Sequence, residues 1–571
     1  MSWWLTDPAR AKSEQVALAE LDERVGWLFG ITWNIGEHLQ LNVDFDIQHN
    51  GELFALSMAY PATFPDTPPI LRPRDGKRLS RHQYGAGGEL CLEFRPDNWD
   101  PSITGAMMVE SAYRLLSGER PSEDGEGIVP SAHQASIGRD LRGETMRFVI
   151  AQEAITVLNG IPPKTPLPIN VWEKIEKPIW IASLVSIGGD GTMLWVGTAP
   201  CPSGSLNAKG FVLRTTQDVE RYRYDANSFI DALPVEFPEL VKRFSENPFT
   251  GYVLLGEGDR WIVLYLFAYQ DKQTAFPYKT IVAPEISGRL PPGHAALADK
   301  RVAVVGCGSV GSKIADMLAR SGVRRFTLVD DDVFFPANLI RNELDARAIG
   351  MHKVDALAIR LKDIAFDMDV NLRRVALGQQ ESAGTTESVM EDLTKTDLLI
   401  DATADPRAFN LISAIARRQR KPMVWCQVYA GGIGGVVARA RPDLDPPPMQ
   451  ARAQIQAWCD SHSVSWTGSR ATDYGAQTRT GAPLIADDSD VSVIAAHAGR
   501  MALDALTRDR SIFPSSAYVI GLATEWIFRA PFDTYPIDLR PEGEWGNRKG
   551  AASAEELLNL MASLFPKDNQ E

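Results

Sequence analysis

The residues with the clearest chemical potential lie in two distant parts of the chain. Gly306, Gly308 and Gly311 form GxGxxG in VAVVGCGSVGSK, between a strand-like and a helix-like run. Asp330 ends the next apolar run, and Asp332, Asn338, Arg341 and Lys353 follow in DDDVFFPANLIR and GMHK. Glycines let the backbone approach a phosphate, a helix start offers unpaired N–H groups, and an acid at the second strand end can hold ribose hydroxyls. A nucleotide is the expected ligand. Arg341 and Lys353 favour adenylyl transfer from ATP, which builds charge on phosphates that cations must stabilise. An NAD-dependent oxidoreductase shares the glycine fingerprint and is the rival enzyme class.

The second part is a cysteine region, HQYGAGGELCLEFRPDNWDPSIT, centred on Cys91. A thiol in a Gly-rich loop faces solvent and can accept an acyl group, which a core thiol cannot. The other cysteines are Cys201, Cys307, Cys426 and Cys459. An odd count without any CxxC pair speaks against a disulfide framework and against zinc held by paired cysteines. Cys307 inside the glycine turn and Cys426 ending PMVWCQV are expected to be buried. Beside Cys459, Asp460 disfavours a thiolate and His462 favours it.

The elements that must position these groups change in texture along the chain. Residues 7–25 read as a helix opened by Asp7-Pro8. HLQLNVDFDI and ELFALSMAY alternate around Asn50-Gly51 as a hairpin. After the proline-rich FPDTPPILRP and the Cys91 loop, SITGAMMVESAYRLLSG has helical spacing and a glycine stop. A helix is predicted over 139–158, and residues 168–285 hold β-type runs without a catalytic constellation. From Lys300, apolar strands alternate with amphipathic helices, which specifies a parallel sheet covered on both faces. The predicted class is α/β multidomain: an α+β domain over 1–155, a β-rich domain over 156–290 and a Rossmann-like domain over 291–571.

Composition bounds the partners. With 571 residues, 44% apolar and 23% charged, the chain is ordinary for a globular multidomain protein. A net charge of -14 argues against a nucleic-acid groove, which needs concentrated Lys and Arg. The N-terminus shows no secretory leader, and no apolar run approaches the roughly 20 residues that span a bilayer, so cytoplasm without membrane contact is expected.

The ordered set GxGxxG, DxDxxxxxNxxR, GxxK and Asp-x-Thr over residues 295–530 resembles the adenylation domain shared by ThiF, MoeB and ubiquitin-activating enzymes. The resemblance implies ATP with Mg2+, Asp330 on the ribose, and Asn338, Arg341 and Lys353 on phosphates. Asp401-Ala402-Thr403-Ala404-Asp405 stands where the family has Asp-x-Thr-Asp-Asn, so Ala404 replaces the family's magnesium-positioning acid and the metal role is expected at Asp405. Cys459, after DLDPPP, falls in the region matching the crossover loop that carries the activating-enzyme thiol. It is therefore expected on a loop that can swing to the adenylate.

Residues 1–155 are similar to ubiquitin-conjugating enzymes, with a proline-rich turn, Gly-x-x-Cys-Leu and Trp-x-Pro. This implies a thioester at Cys91. His82-Gln83-Tyr84 replaces the family's HPN, and Tyr84 or a backbone amide is expected to support the oxyanion. The fusion resembles the bacterial ubiquitin-transferase-like proteins of CBASS antiphage operons. That implies a cGAS/DncV-like nucleotidyltransferase whose C-terminus is adenylated, carried from Cys459 to Cys91 and joined to a protein amine, in a homodimer. A ThiF-type sulfur-carrier activator is the nearer alternative, and a nucleotide-gated scaffold is the non-enzymatic rival.

Overall fold

The computed structural model of the chain describes all residues except 1, 77–78, 81, 85–87, 121–136, 190, 200, 203, 245–247, 271, 285–289, 366, 465–475, 478–482, 485, 547–552 and 566–571. It divides into two compact units, Met1–Gly143 and Glu144–Glu571.

In the first unit, a short α1 (Trp3–Thr6) leads into α2 (Pro8–Arg24), whose cap Asp7 accepts the Arg10 N–H at 3.0 Å. That bond satisfies a donor which has no partner inside the helix. Strands β1 (Leu28–Ile35), β2 (Leu41–His49), β3 (Glu52–Ala59) and β4 (Ile70–Pro73) form an antiparallel meander in that order. Asn50 and Gly51 both have positive φ, the conformation that matches a two-residue hairpin to strand twist. A small hairpin of β5 (Gln83–Tyr84) and β6 (Glu89–Leu90) precedes Cys91, and Thr104 caps α3 (Gly105–Glu119). Alternating Val43, Phe45, Ile47 and Phe54, Leu56, Met58 form the sheet's share of a core completed by Leu18, Leu21 and Val109. Helix, meander, cysteine and helix follow in the predicted order.

The predicted helix over 139–158 is replaced by a short α4 (Ile137–Asp140), strand β7 (Met146–Ala151) and α5 (Gln152–Gly160). Arg147, Phe148 and Val149 each pair in parallel with two other strands, and that pairing outweighs local helical spacing. The first compact unit ends at Gly143, ahead of β7.

Strand β7 joins β8 (Leu167–Glu176), β9 (Ile179–Gly189), β10 (Thr192–Val196), β11 (Leu206–Arg214), β12 (Gly251–Glu257), β13 (Arg260–Tyr269) and β14 (Lys272–Ala283) in one sheet. Because β9 pairs with β8 along one edge and with β7 on the other, the ring β9-β7-β14-β13-β12-β11-β8 closes into a barrel. One core cluster draws on all seven ring strands and on α5, which identifies it as the lumen. The cluster on the opposite face lies under α6 (Ser228–Glu236) and α7 (Pro238–Val241).

The third sheet runs β17-β16-β15-β18-β19-β20-β23-β24. Parallel pairing joins β17 (Asp369–Arg373), β16 (Arg325–Val329), β15 (Arg301–Val305), β18 (Leu398–Asp401) and β19 (Met423–Val428). Antiparallel strands β20 (Gly434–Ala440), β23 (Ala517–Gly521) and β24 (Thr534–Ile537) complete it, while β21 (Ala476–Gln477) and β22 (Pro483–Leu484) form a separate ribbon. Helices α8 (Ser309–Arg320), α9 (Lys353–Ile364) and α13 (Asp488–Thr507) cover one face. The other carries α10 (Ala383–Thr394), α11 (Pro406–Gln419) and α12 (Pro448–Ser461). Along β15, Val302 and Val304 face the first layer and Ala303 and Val305 the second, as a doubly covered strand requires. Barrel and third sheet are separate sheets within the second compact unit, Glu144–Glu571. An exposed helix α14 (Ala554–Leu564) closes the described chain.

Candidate nucleotide pocket and reactive thiols

The strand order reverses around β15, and the crevice beyond the carboxyl ends of β15 and β18 is where open α/β sheets bind ligands. The glycine turn opens there. Gly306 has φ +88, and a Cβ on Gly311 would lie 1.8 Å from the Gly306 oxygen, so neither tolerates a side chain. Gly308, the N-cap of α8, faces open space with nothing within 4 Å of a built Cβ. The orphan amides of the first turn make that space suited to an anion.

Asp330 directly follows β16 and accepts the Cys307 N–H at 2.7 Å and the Asp332 N–H at 2.9 Å. Burial pushes its carboxyl up, while the two amides and Lys353 oppose that shift. Each oxygen retains a lone pair for a ribose hydroxyl. Lys353, at the first position of α9, is buried and ion-paired with Asp332. Asp332 is thus the counter-ion of the lysine. Asn338 lies in a 3-10 turn, Pro336–Ile340, where its Oδ1 accepts the Phe335 N–H at 2.8 Å, and Arg341 caps that turn. The Glu343 N–H reaches Ser312 Oγ at 3.3 Å, which ties this arm to the first turn of α8.

A group missed in the sequence completes this tie. Lys313, buried on α8, pairs with Asp488 at 2.9 Å and Glu343 at 3.6 Å. A lysine among the apolar positions after GxGxxG was a visible signal, but its two acids stand far downstream.

Asp401 ends β18 opposite Val305, and its Oδ1 accepts the Thr403 N–H at 2.9 Å and the Thr403 hydroxyl at 2.6 Å. Burial pushes its carboxyl up to about 6 against those donors. Asp405 caps α11 and binds Arg407 through its N–H at 2.8 Å and its guanidinium at 2.9 Å, which holds its carboxyl below the usual range. Ala404 between them is left-handed, with φ 55. Among the described residues no group of three or more His, Cys, Asp or Glu could hold a metal by itself. One or two carboxylates shared with phosphates is the usual protein contribution to Mg2+, and Asp401 and Asp405, which sense each other's charge, fit that pattern.

Cys91 is half-buried just after β6, and its N–H donates to the His82 carbonyl at 2.8 Å. The HQY tripeptide is therefore bonded to the cysteine. Gln83 straps the loop: its Oε1 accepts the Leu79 and Ser80 N–H groups at 2.6 and 2.9 Å, and its Nε2 donates to the Gly88 carbonyl at 2.8 Å. The side chain of Tyr84, expected to support the oxyanion, lies outside the described residues. Trp99 Nε1 donates to the Pro65 carbonyl at 2.7 Å and anchors the proline-rich turn. The residues flanking Cys91, Leu90 and Leu92, line a pocket of about 230 Å3 with Pro68, Phe94 and Met108.

Cys459 corrects its prediction. It sits inside helix α12, not on a loop, and is fully buried with Ala451 and Ile455 against the sheet. Pro447-Pro448 initiates this helix, and burial raises the thiol pKa. Cys307 and Cys426 are buried as predicted, and burial pushes the Cys426 thiol up to about 12.

Residues 285–487 match the model of the ThiF family. The uncharacterized protein y4qC of Sinorhizobium fredii is 26% identical over 432 residues, 69% of this chain and 72% of that one. The ATP-dependent ubiquitin transferase-like protein Cap2 of Escherichia coli is 34% identical over 129 residues, 22% of this chain and 20% of its own, and its Vibrio cholerae counterpart is 35% identical over 125 residues, 21% and 20% of the two chains. These alignments thus span about a fifth of each Cap2 relative. The structure of E. coli MccB with ATP aligns with 45% of this chain and 69% of its own, at 16% identity and a TM-score of 0.33. Residues 285–487 thus match the ThiF family model, and among the described residues of that stretch the glycine turn, Asp330 and Lys353 assemble beyond the carboxyl ends of β15 and β16.

Proposed function

We propose that this chain adenylates the C-terminal carboxylate of a protein with ATP and transfers the acyl group, through a thioester on Cys91, to an amine. The observation that carries this reading is Lys353, a buried cation beside Asp330 and the open N-terminus of α8. Hydride transfer gives no use for such a charge, whereas phosphoryl chemistry stabilises its leaving group with it. In the first step a carboxylate oxygen attacks the α-phosphorus of ATP and pyrophosphate leaves. A thiolate then attacks the acyl carbon and AMP leaves. Finally a neutral amine attacks the thioester, the C–S bond breaks, and the proton given up by the amine nitrogen returns the leaving thiolate to a thiol.

In this reading Asp330 holds the ribose, and Asn338, Arg341 and Lys353 meet the phosphates. Mg2+, when bound, neutralises the polyphosphate, and Asp405 with Asp401 would hold it. Cys459 is the proposed first acceptor. In the buried arrangement it cannot reach an adenylate, so the relay from Cys459 to Cys91 requires the last turn of α12 to open. Likeness to Cap2 supports ATP-dependent, ubiquitin-transferase-like chemistry; the motif resemblance to CBASS-operon fusions suggests a cGAS/DncV-like nucleotidyltransferase as substrate, in cytoplasmic antiphage defence, with the ThiF-type parts paired as a homodimer.

ATP–pyrophosphate exchange tests the core of the proposal. Exchange should appear with an intact nucleotidyltransferase partner and vanish when its last residues are removed. Exchange without any carboxylate partner, or none with any partner, would reject it.

A further inference from the structure

The barrel has two unlike ends. At one, α5 sends Ala154, Ile155 and Leu158 into the lumen. Asn159 locks that plug to the β12–β13 turn, accepting the Gly258 N–H at 2.9 Å and donating to the Gly258 carbonyl at 3.2 Å. At the other end, bounded by the β8–β9 and β13–β14 turns, no described helix enters the lumen cluster. Strand alternation places Ile175, Trp180, Leu206, Phe267, Tyr269 and Phe276 on the inward side there, yet they are 37 to 63% exposed. They form an apolar rim that the described residues leave exposed.

Below the rim, the ring of Tyr252 stands 4.9 Å from Tyr265 and 5.5 Å from Tyr278. The buried Tyr252 hydroxyl donates to Glu173 at 2.7 Å and lies 3.3 Å from the Tyr278 hydroxyl. Burial pushes both phenols above their usual pKa, so they stay protonated. Glu173 makes no ion pair among the described residues, and the adjacent Lys174 is spent on Glu176 at 2.8 Å. The floor of the cup is therefore a carboxylate set among aromatic rings.

An apolar occupant would seal that carboxylate away from water without a counter-charge, at a cost that burial of the rim would have to exceed. An anion would be repelled. A cation on a methylene stem matches every part: ring faces and carboxylate attract the head, and the rim takes the stem. The rim draws exposed apolar residues from five strands, β8, β9, β11, β13 and β14, which argues for a protein surface around the side chain, and the net charge of -14 favours a basic partner. We propose that this mouth of the barrel captures a lysine side chain presented by a partner protein.

The test uses the full chain and two peptides, acetyl-Gly-Lys-Gly-amide and its norleucine counterpart, in calorimetric titrations at low and high salt. The lysine peptide should saturate one site, bind at least about tenfold more tightly than the norleucine peptide and weaken with salt. Glu173→Gln should remove that preference. Phe267→Ala, at an exposed position where folding is not at stake, should weaken both peptides. ATP–pyrophosphate exchange should be unchanged in both variants, so the adenylation reading stands or falls separately. Equal binding of the two peptides, an unaltered preference in Glu173→Gln, or no saturable binding of the lysine peptide would overturn the proposal.

Discussion

The thiol of Cys459 lies 3.8 Å from the hydroxyl of Tyr429, within the apolar core beneath α12. A reagent in solution meets the exposed Cys201 first and the half-buried Cys91 next, while Cys307, Cys426 and Cys459 are sealed. Mass spectrometry after brief alkylation of the native protein should find that order, with the sealed three modified only in denaturant. ATP and substrate together should speed labelling of Cys459 if α12 opens for transfer. Cys459→Ala should then lose both thioesters, and normal loading of Cys91 in that variant would remove Cys459 from the relay.

Lys353 and Arg341 carry the phosphate chemistry in the proposed mechanism. Replacing either by Ala should lower ATP–pyrophosphate exchange by about 10²-fold or more, as loss of a group stabilising developing charge does. Lys353→Ala also strands Asp332 as a carboxylate without its cation, so part of its effect should appear as a lower melting temperature. Unchanged exchange in both variants would reject the pocket.

Cys91→Ser should leave exchange unaltered and either trap an oxyester or stop conjugation. Denaturing gels with and without thiol reductant separate these outcomes, because only a thioester is lost on reduction. Conjugation at the normal rate in this variant would exclude Cys91.

His497 on α13 supplies a pH dependence. Burial, assisted by the Arg500 charge, pulls its imidazole pKa below the usual value. The unfolded chain therefore takes up a proton that the folded chain refuses, and stability falls as pH drops below the unfolded value of about 6.5. Between pH 7.5 and 5.0 the wild type should lose more melting temperature than His497→Gln, and equal losses would show that His497 does not contribute.

Much of the framework was readable because its signals are local. Asp7-Pro8 starts α2, Asn50-Gly51 sets a hairpin, and a glycine turn between an apolar strand and a helix places a nucleotide pocket; each needs only neighbouring residues. Proline also misled. After DLDPP, Pro448 preset the first turn of a helix, where a loop had been expected.

By itself the sequence determined the elements around the glycine turn and the identities of Asp330, Arg341, Lys353 and Cys91 as candidate chemistry. Tertiary structure alone decided that β7 would pair with β9 and β14, that the β-rich segment would close on itself, that Asp332 would be spent on Lys353, and that Cys459 would point into the core. The physical reason is range: capping and turn preferences act within a few residues, whereas strand pairing, ion pairing and burial depend on groups that meet only when the chain has folded.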